Sequence, residues 1–167
     1  MELYFLRHGL AVPRGTPGFR RDADRPLTPA GIKKLRQSVQ GMKKLGLAWD
    51  RILSSPYRRA KQTAEIVTSI YKKTPLILTS ALTPQAAPKT LIALLQKQKG
   101  KRLLLVGHEP FLSQCISFLL TGREKAVPIV LKKGGLCLLT VDSLRAGPCA
   151  ALCGIITPRP LRLLGKA

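Results

Sequence analysis

Two residue types that carry out phosphoryl transfer stand together near the start of this chain. The apolar run Leu3–Leu6 is followed at once by Arg7, His8 and Gly9. A short apolar run ended by a glycine is typical of a buried strand and its exit, and open α/β sheets bind ligands at such exits. Arginine offers a planar fork of donors to phosphate, and neutral imidazole is a nucleophile. The pair predicts phosphoryl chemistry, although a turn-capping histidine and an ion-paired arginine fit three residues equally well.

The second of the chain's two histidines stands in the same kind of position. The apolar run Leu103–Val106 leads into Gly-His-Glu-Pro at 107–110, which predicts a strand end followed by a helix start. Two imidazoles at two strand exits can divide the reaction between them. The neutral ring of His8 would attack phosphorus, and a protonated His108 would stabilise the equatorial oxygens.

An arginine on a predicted helix adds to this pair. Ile66 and Ile70 follow Arg59 at helical spacing, so the Arg59 side chain is expected on the face that packs toward the core. A buried guanidinium is costly unless an anion meets it. Because the chain has only eight acidic residues, we expect a bound phosphate as that anion, held by Arg7 and Arg59 beside a helix N-terminus. This chemistry requires no metal and no cofactor.

These side chains need a sheet whose strand ends meet, and the rest of the chain predicts one. Thr28 and Pro29 predict the N-cap and first residue of a helix that Gly46 ends. Ser55-Pro56 predicts another helix start. Strands are predicted at Leu3–Leu6, Arg51–Leu53, Leu76–Leu78, Leu103–Val106, Leu136–Val141 and Ala150–Ile156, and helices also at Lys89–Lys97 and Pro110–Leu120. The predicted fold is a single α/β domain over residues 1–167, a three-layer sandwich with a mostly parallel central sheet flanked by helices.

The segment Pro13–Pro26 is rich in glycine, proline and arginine and has no periodicity, which predicts a surface loop directly after the first histidine. Arg14, Arg20 and Arg21 in this loop are candidates for substrate contact. Loop charges that only face solvent explain them equally well.

Composition limits the remaining choices. The chain has 167 residues, 29 Lys and Arg against 8 Asp and Glu, and a formal net charge of +21. That charge favours an acidic partner such as a phosphoprotein, a polyphosphate or a nucleic acid, or is simply a solvated basic surface. No apolar stretch approaches the roughly 20 residues of a membrane span, and the N-terminus lacks a basic leader region. We therefore expect a soluble cytoplasmic protein, and its four cysteines are expected as buried free thiols.

Three blocks of sequence, taken together and in order, resemble the histidine phosphatase superfamily, whose fold is phosphoglycerate mutase-like. The blocks are Leu6–Gly9, Ser54–Ala64 and Val106–Pro110. The short length and the segments Pro26–Gly31, Leu82–Pro84 and Ile156–Arg162 resemble its SixA-type branch of phosphohistidine phosphatases. The resemblance implies that His8 is the nucleophile and is transiently phosphorylated, that Arg7, Arg59 and His108 form the phosphate pocket, and that water then frees the enzyme.

One departure from the family bears on the substrate. Many members carry an acidic proton donor between the second and third blocks, but Thr74–Lys101 contains no Asp or Glu, and Leu10 stands where SixA-type members can carry an acid. This suits a P–N bond, which breaks readily once its imidazole is protonated, better than a poor alkoxide leaving group. Glu109 and Asp22 remain as candidate donors, although Glu109 also fits as a charge at a helix N-terminus.

Three functions follow from these observations. The first is a metal-independent phosphatase acting on phosphohistidine in an acidic protein, with inorganic phosphate or sulfate fitting the same pocket. The second is a phosphatase of small or polymeric phosphate esters, such as a nucleotide, a sugar phosphate or polyphosphate. The third is a non-catalytic protein that binds polyanions. Nucleic acid is not the expected partner, because aromatic residues are only 5% of the chain and its basic pairs are dispersed.

Overall fold

The computed structural model describes residues 1–166 as a six-stranded sheet with helices on both faces. The strands are β1 (Glu2–Arg7), β2 (Arg51–Ser54), β3 (Leu76–Leu78), β4 (Arg102–Gly107), β5 (Leu136–Val141) and β6 (Ala150–Ile156). The helices are α1 (Pro29–Lys44), α2 (Arg58–Ile70), α3 (Pro88–Leu95), α4 (Phe111–Thr121) and α5 (Pro158–Lys166), with 3₁₀ turns at Asp22–Asp24 and Ser80–Leu82. The predicted fold class is confirmed.

The order of strands across the sheet, β3-β2-β4-β1-β5-β6, places the two histidine-bearing strands side by side. Strand β1 pairs in parallel with β4, and Arg7 lies opposite Gly107. Both strands therefore end at the same level of the sheet. Strand β2 is also parallel to β4, whereas β5 runs antiparallel to β1 and to β6. The carboxyl ends of β1, β2 and β4 therefore meet at one edge, where parallel sheets place their ligand sites.

Each face of the sheet packs on its own hydrophobic layer. Phe5 and Leu105 face the layer that contains α3 and α4, while Leu6 and Val106 face the layer that contains α1, α2 and α5. All four side chains have no exposed surface. Burial on both faces explains why β1 and β4 are continuous apolar runs rather than alternating ones.

The predicted features of α1 are confirmed. The Thr28 hydroxyl oxygen accepts a hydrogen bond from the N–H of Gly31 at 3.0 Å, Pro29 is the first helical residue, and Gly46 follows the end with a φ of +72°. A threonine cap and a glycine with positive φ are favourable at these two positions. The buried apolar side chains of this helix include Leu35, Val39 and Met42. Leu45, which caps the helix, is 46% exposed and does not join them.

Helix α5 was not predicted from the sequence. It packs closely along α1, with Leu161 fully buried. Gly41 of α1 and Gly165 of α5 allow this approach, since a Cβ atom on either would overlap the backbone of the opposite helix. Two prolines and a glycine give the segment poor intrinsic helix propensity, so packing against α1 outweighs local preference.

The prediction that all cysteines are buried is wrong for the last two. Cys115 and Cys137 are buried, but Cys149 is half-buried and Cys153 is exposed, and all four are free thiols. Cys153 lies on β6, which pairs only with β5 and is the edge of the sheet. Among residues 1–166, no helix is both long enough and apolar enough to cross a bilayer.

Candidate active site

The sheet edge brings the four predicted site residues into one cavity. The cavity has a volume of about 330 Å³ and is lined by Arg7, His8, Arg59 and His108. Its other lining residues are Ala11, Pro13, Arg14, Arg25, Pro84, Glu109 and Lys133. The imidazole rings of the two histidines lie side by side, with centroids 5.1 Å apart.

His8 is held in the tautomer that a nucleophile needs. Its Nδ1 lies 2.7 Å from the carbonyl oxygen of Gly9. Since a carbonyl only accepts, Nδ1 carries the proton and Nε2 keeps its lone pair. Burial lowers the pKa of His8 to about 3, and the charges of Arg59 and Arg7 add to this effect. The ring is therefore neutral at neutral pH, with a nucleophilic nitrogen in the cavity.

Arg59 points inward, as its helical spacing predicts, but its anion is a carboxylate of the chain itself. Its Nε–H donates to Nε2 of His8 at 3.2 Å, and its two terminal nitrogens donate to the backbone oxygen and the Oδ2 of Asp22 at 2.6 and 2.8 Å. The acidic partner of Arg59 within the chain is therefore Asp22, and the expected binding of a phosphate by Arg59 stays a prediction. The sequence separation of 37 residues between Arg59 and Asp22 hides this contact from local patterns.

Asp22 joins three arginines. Besides Arg59, its Oδ1 accepts hydrogen bonds from Arg14 at 3.0 Å and from Arg25 at 2.6 Å. Burial alone would raise the pKa of Asp22, but the hydrogen bonds from Arg25 and Arg59 outweigh burial and hold it well below its ordinary value. Because arginines bind both of its carboxylate oxygens and its pKa is lowered, Asp22 is a poor candidate for the proton donor.

Two buried nitrogens beside His8 have no hydrogen-bond partner among the described residues. They are Nε of Arg7, whose guanidinium donates through another nitrogen to the Leu131 carbonyl at 2.9 Å, and Nδ1 of His108. A buried polar nitrogen without a partner destabilises the folded protein by about 1–3 kcal/mol. The presence of two such nitrogens on residues that line one cavity therefore requires an explanation. The oxygens of a phosphoryl group would supply the missing acceptors.

His108 differs from its expected protonation state. Burial, together with the neighbouring His8 and Arg59, lowers its pKa to about 2, so the ring is neutral in the ligand-free protein rather than the predicted imidazolium. Its Nε2 lies 2.8 Å from the hydroxyl of Ser55. If that hydroxyl donates to Nε2, the proton of the neutral ring resides on Nδ1 and is available to an anion.

Ser55 was missed as a site residue and misread as a helix cap. Helix α2 begins at Arg58 with Tyr57 as its N-cap residue, and the Tyr57 side chain makes no capping bond. The Ser55 hydroxyl instead accepts a bond from the Tyr57 N–H at 3.3 Å and contacts His108. A Ser-Pro pair at the end of a strand looks the same in sequence for either role.

Glu109 faces the cavity and is not merely a charge at a helix end. One carboxyl oxygen, Oε2, accepts a hydrogen bond from Ser113 at 2.6 Å, while Oε1 is buried without a partner in the described chain. Burial raises the pKa of Glu109, although the Ser113 hydrogen bond and the charge of Arg7 oppose this. A carboxyl group with a raised pKa and one free oxygen can exchange protons with a ligand.

The three loop arginines that the sequence offered for substrate contact differ in where their side chains lie. Arg14 lines the cavity, Arg20 lines a neighbouring one, and Arg21 lines neither, since it points to solvent and binds Asp24 at 2.8 Å. Sequence reasoning missed Arg25 and Lys133 as cavity residues. Nothing in their local sequence distinguishes them from the many other basic residues of this chain.

Sequence comparison places the chain in a known family. The model of the histidine phosphatase superfamily (branch 1) matches residues 3–84, which include Arg7, His8 and Arg59. An uncharacterized protein of Picosynechococcus sp. is 36% identical over 142 residues, covering 81% of this chain and 82% of that protein.

Solved structures with the same fold include phosphatases of more than one substrate. The protein histidine phosphatase SixA complexed with tungstate superposes with a TM-score of 0.81 and 24% identity, covering 95% of this chain and 97% of that one. The alpha-ribazole phosphatase of Shigella flexneri has a TM-score of 0.73 and 18% identity, covering 95% and 97%. At these identities the likeness shows the fold alone.

Proposed function

This chain belongs to the histidine phosphatase superfamily and is a phosphatase, and from that premise we propose that it hydrolyses phosphohistidine in a protein through a covalent intermediate on His8. One observation carries the proposal. His8, whose Nε2 carries no proton and meets only the Arg59 Nε–H, lines the same cavity as Arg7 and His108, each of which has a buried nitrogen without an acceptor. A phosphoryl group satisfies the nucleophile and both donors at once.

In the first step, Nε2 of His8 attacks phosphorus and the P–N bond of the substrate breaks. The departing imidazole nitrogen takes the proton of the Glu109 carboxyl group, so a neutral imidazole leaves and Glu109 becomes a carboxylate. The Nδ1 proton of His8 stays on Nδ1 and keeps its hydrogen bond to the Gly9 carbonyl oxygen, so the phosphorylated ring carries a positive charge. The Arg59 Nε–H, which had faced the lone pair of His8, turns to an oxygen of the new phosphohistidine.

In the second step, water attacks the phosphorus of phosphorylated His8 and gives a proton to the Glu109 carboxylate. The bond between phosphorus and Nε2 breaks, and inorganic phosphate leaves. His8 is neutral again, and Glu109 carries its proton again. Through both steps Arg7, Arg59 and His108 donate hydrogen bonds to the oxygens that gather negative charge.

The surroundings of the cavity support an acidic phosphoprotein as partner. Arg14, Arg25 and Lys133 line it in addition to the two phosphate-binding arginines. Burial and the charges of Arg7, Arg25 and Arg59 lower the pKa of Lys133, which reflects a strongly positive field. Such a field attracts anions and accelerates their encounter with the site.

A small phosphate ester is the second candidate because of Glu109. An ester has a poorer leaving group than phosphohistidine and depends more on a proton donor, and Glu109 occupies the cavity where a donor would act. A purely polyanion-binding protein is less well supported, since it would not require a neutral histidine whose Nε2 carries no proton.

The deciding experiment is phosphate release from a histidine-phosphorylated carrier protein in EDTA. Wild type is expected to release phosphate, and His8→Ala is expected to release none. Quenching in alkaline SDS, which preserves P–N bonds, should show radiolabelled phosphate on wild type and not on His8→Ala. If both proteins leave the carrier intact while wild type hydrolyses small esters, the phosphohistidine assignment is wrong and the ester assignment replaces it.

A further inference from the structure

A second cavity adjoins the catalytic one beneath the loop that follows His8. Its volume is about 380 Å³, and its wall includes Arg14, Phe19, Arg20 and Arg25. Arg14 and Arg25 also line the catalytic cavity, so the same two guanidinium groups face both spaces. A substrate whose phosphoryl group reaches His8 therefore has its neighbouring atoms close to this second cavity.

The second cavity has more positive than negative charge. Asp22 is the one carboxylate in its lining, and that carboxylate is shared among Arg14, Arg25 and the buried Arg59. Arg20 is exposed and makes no hydrogen bond or ion pair with any part of the chain between residues 1 and 166. Its guanidinium is thus available to an anion that comes from outside.

The Arg25 side of this cavity is held in place by contacts within the chain, whereas the exposed Arg20 side chain is not. The Arg25 side chain is only 12% exposed, and it donates to the Val12 carbonyl as well as to Asp22. Leu27 anchors the far end of the loop through a bridge to Ala11 and through its N–H, which donates to Gln62 Oε1 at 2.7 Å. The anchored part of the wall loses little entropy on binding, so the main ordering cost is that of the Arg20 side chain.

We propose that this second cavity binds a carboxylate of the partner protein that lies next to its phosphohistidine. The proposal rests on the proposed function, because it assigns the surroundings of the same phosphoryl group. Arginine forks match a carboxylate in two-point geometry, and Phe19 offers an apolar surface to the methylene groups that carry it. The cavity would make the enzyme prefer an acidic phosphoprotein over free phosphoramidate.

The test compares Arg20→Ala and Arg20→Glu with Arg36→Ala, which removes an equal charge from the exposed face of α1. Binding of a histidine-phosphorylated acidic carrier is measured by calorimetry in the His8→Ala background, where no turnover occurs. We expect Arg20→Ala to weaken binding about three- to ten-fold and Arg20→Glu to weaken it more, because a charge-assisted hydrogen bond is lost and then replaced by repulsion. Arg36→Ala should change it less than about two-fold.

Two further measurements identify the source of the anion and separate the two proposals. The affinities of inorganic phosphate and tripolyphosphate are measured in the same variants. If Arg20 substitutions weaken tripolyphosphate but not the carrier, the second anion is a phosphoryl group and the carboxylate proposal is overturned. Equal effects of Arg20→Ala and Arg36→Ala on the carrier overturn it as well. Carrier binding that depends on Arg20, with no phosphate release by wild type, overturns the proposed function and leaves the second cavity as a carboxylate site.

Discussion

The floor of the catalytic cavity and the loop beside it are held in place by different forces. The floor consists of strand ends: His8 and His108 follow β1 and β4, whose side chains are buried on both faces of the sheet. The loop has few apolar anchors and is ordered mainly by ion pairs that converge on Asp22. Hydrophobic burial thus positions the two histidines, while ion pairs position the arginines of the loop.

The largest effect that this comparison predicts is at Arg59, where floor and loop meet. Arg59→Ala should lower kcat/KM about 100- to 1,000-fold, because an electrostatic donor to the phosphoryl group is lost. Steady-state assays on the phosphorylated carrier measure this. Arg58→Ala is the matched control, since Arg58 precedes it on α2 but is exposed. Similar losses in both variants would mean that net charge, not position, matters.

A somewhat smaller effect is expected at Glu109. Glu109→Gln should lower kcat about 100-fold on an alkyl phosphate ester, where proton donation contributes most. The loss on phosphohistidine should be smaller. Because the first step needs the protonated carboxyl group of the free enzyme, wild-type kcat/KM should fall as pH rises through the raised pKa of Glu109, and the Glu109→Gln variant should lack this decrease.

Glu65→Gln, on the exposed face of α2, controls for removal of an acid. Equal losses on the alkyl ester and on phosphohistidine would show that Glu109 only positions its neighbours.

The buried histidines also predict how stability depends on pH. Their pKa values are depressed to about 3 and about 2 in the folded protein, against an ordinary value of 6.5 for histidine. The unfolded chain therefore binds protons that the folded one does not, so stability present above pH 6.5 is lost as the pH falls toward 3. Between pH 7 and pH 5 we expect a loss of about 1–2 kcal/mol per histidine, measured by urea unfolding.

Above pH 5 the carboxylate of Asp22 contributes little to this slope, because its own loss occurs below its ordinary pKa of 3.8. Replacing both histidines with glutamine should flatten the profile between pH 7 and pH 5. An unchanged slope in that double variant would mean that other groups cause it.

The smallest effect belongs to the loop alone. Asp22→Asn removes the carboxylate that competes with a ligand for Arg14, Arg25 and Arg59. Inorganic phosphate should therefore bind a few-fold more tightly, about two- to five-fold by calorimetry. The variant should also be less stable, because three guanidinium groups lose their shared anion. Weaker phosphate binding would show that Asp22 aligns the arginines more than it competes with phosphate.

The contrast between the buried strand ends and the ion-paired loop also explains which features could be predicted from the sequence. Strands β3, β5 and β6 have the predicted bounds, because short apolar runs between glycines and prolines are local signals. The gathering of Arg7, His8, Arg59 and His108 follows from strand exits and helical spacing, which are also local.

Contacts between residues far apart in the chain leave no local pattern in the sequence from which they could be predicted. The Asp22–Arg59 pair, the Ser55 contact to His108 and the docking of α5 on α1 depend on tertiary packing. The neutral state of His108 likewise reflects burial that only the folded chain creates. The exposure of Cys153 follows from β6 being an edge strand, which its apolar sequence does not reveal.

The place of β1 in the sheet has a consequence for how the protein is made. This strand emerges first from the ribosome among the six, yet its two neighbours, β4 and β5, lie about a hundred residues or more later in the chain. It must therefore wait, unpaired, until most of the polypeptide has been synthesised, and long-range pairing of this kind is slow. During that interval Leu3–Leu6 is an exposed apolar segment, so efficient production in a cell should depend on chaperones that shield nascent chains.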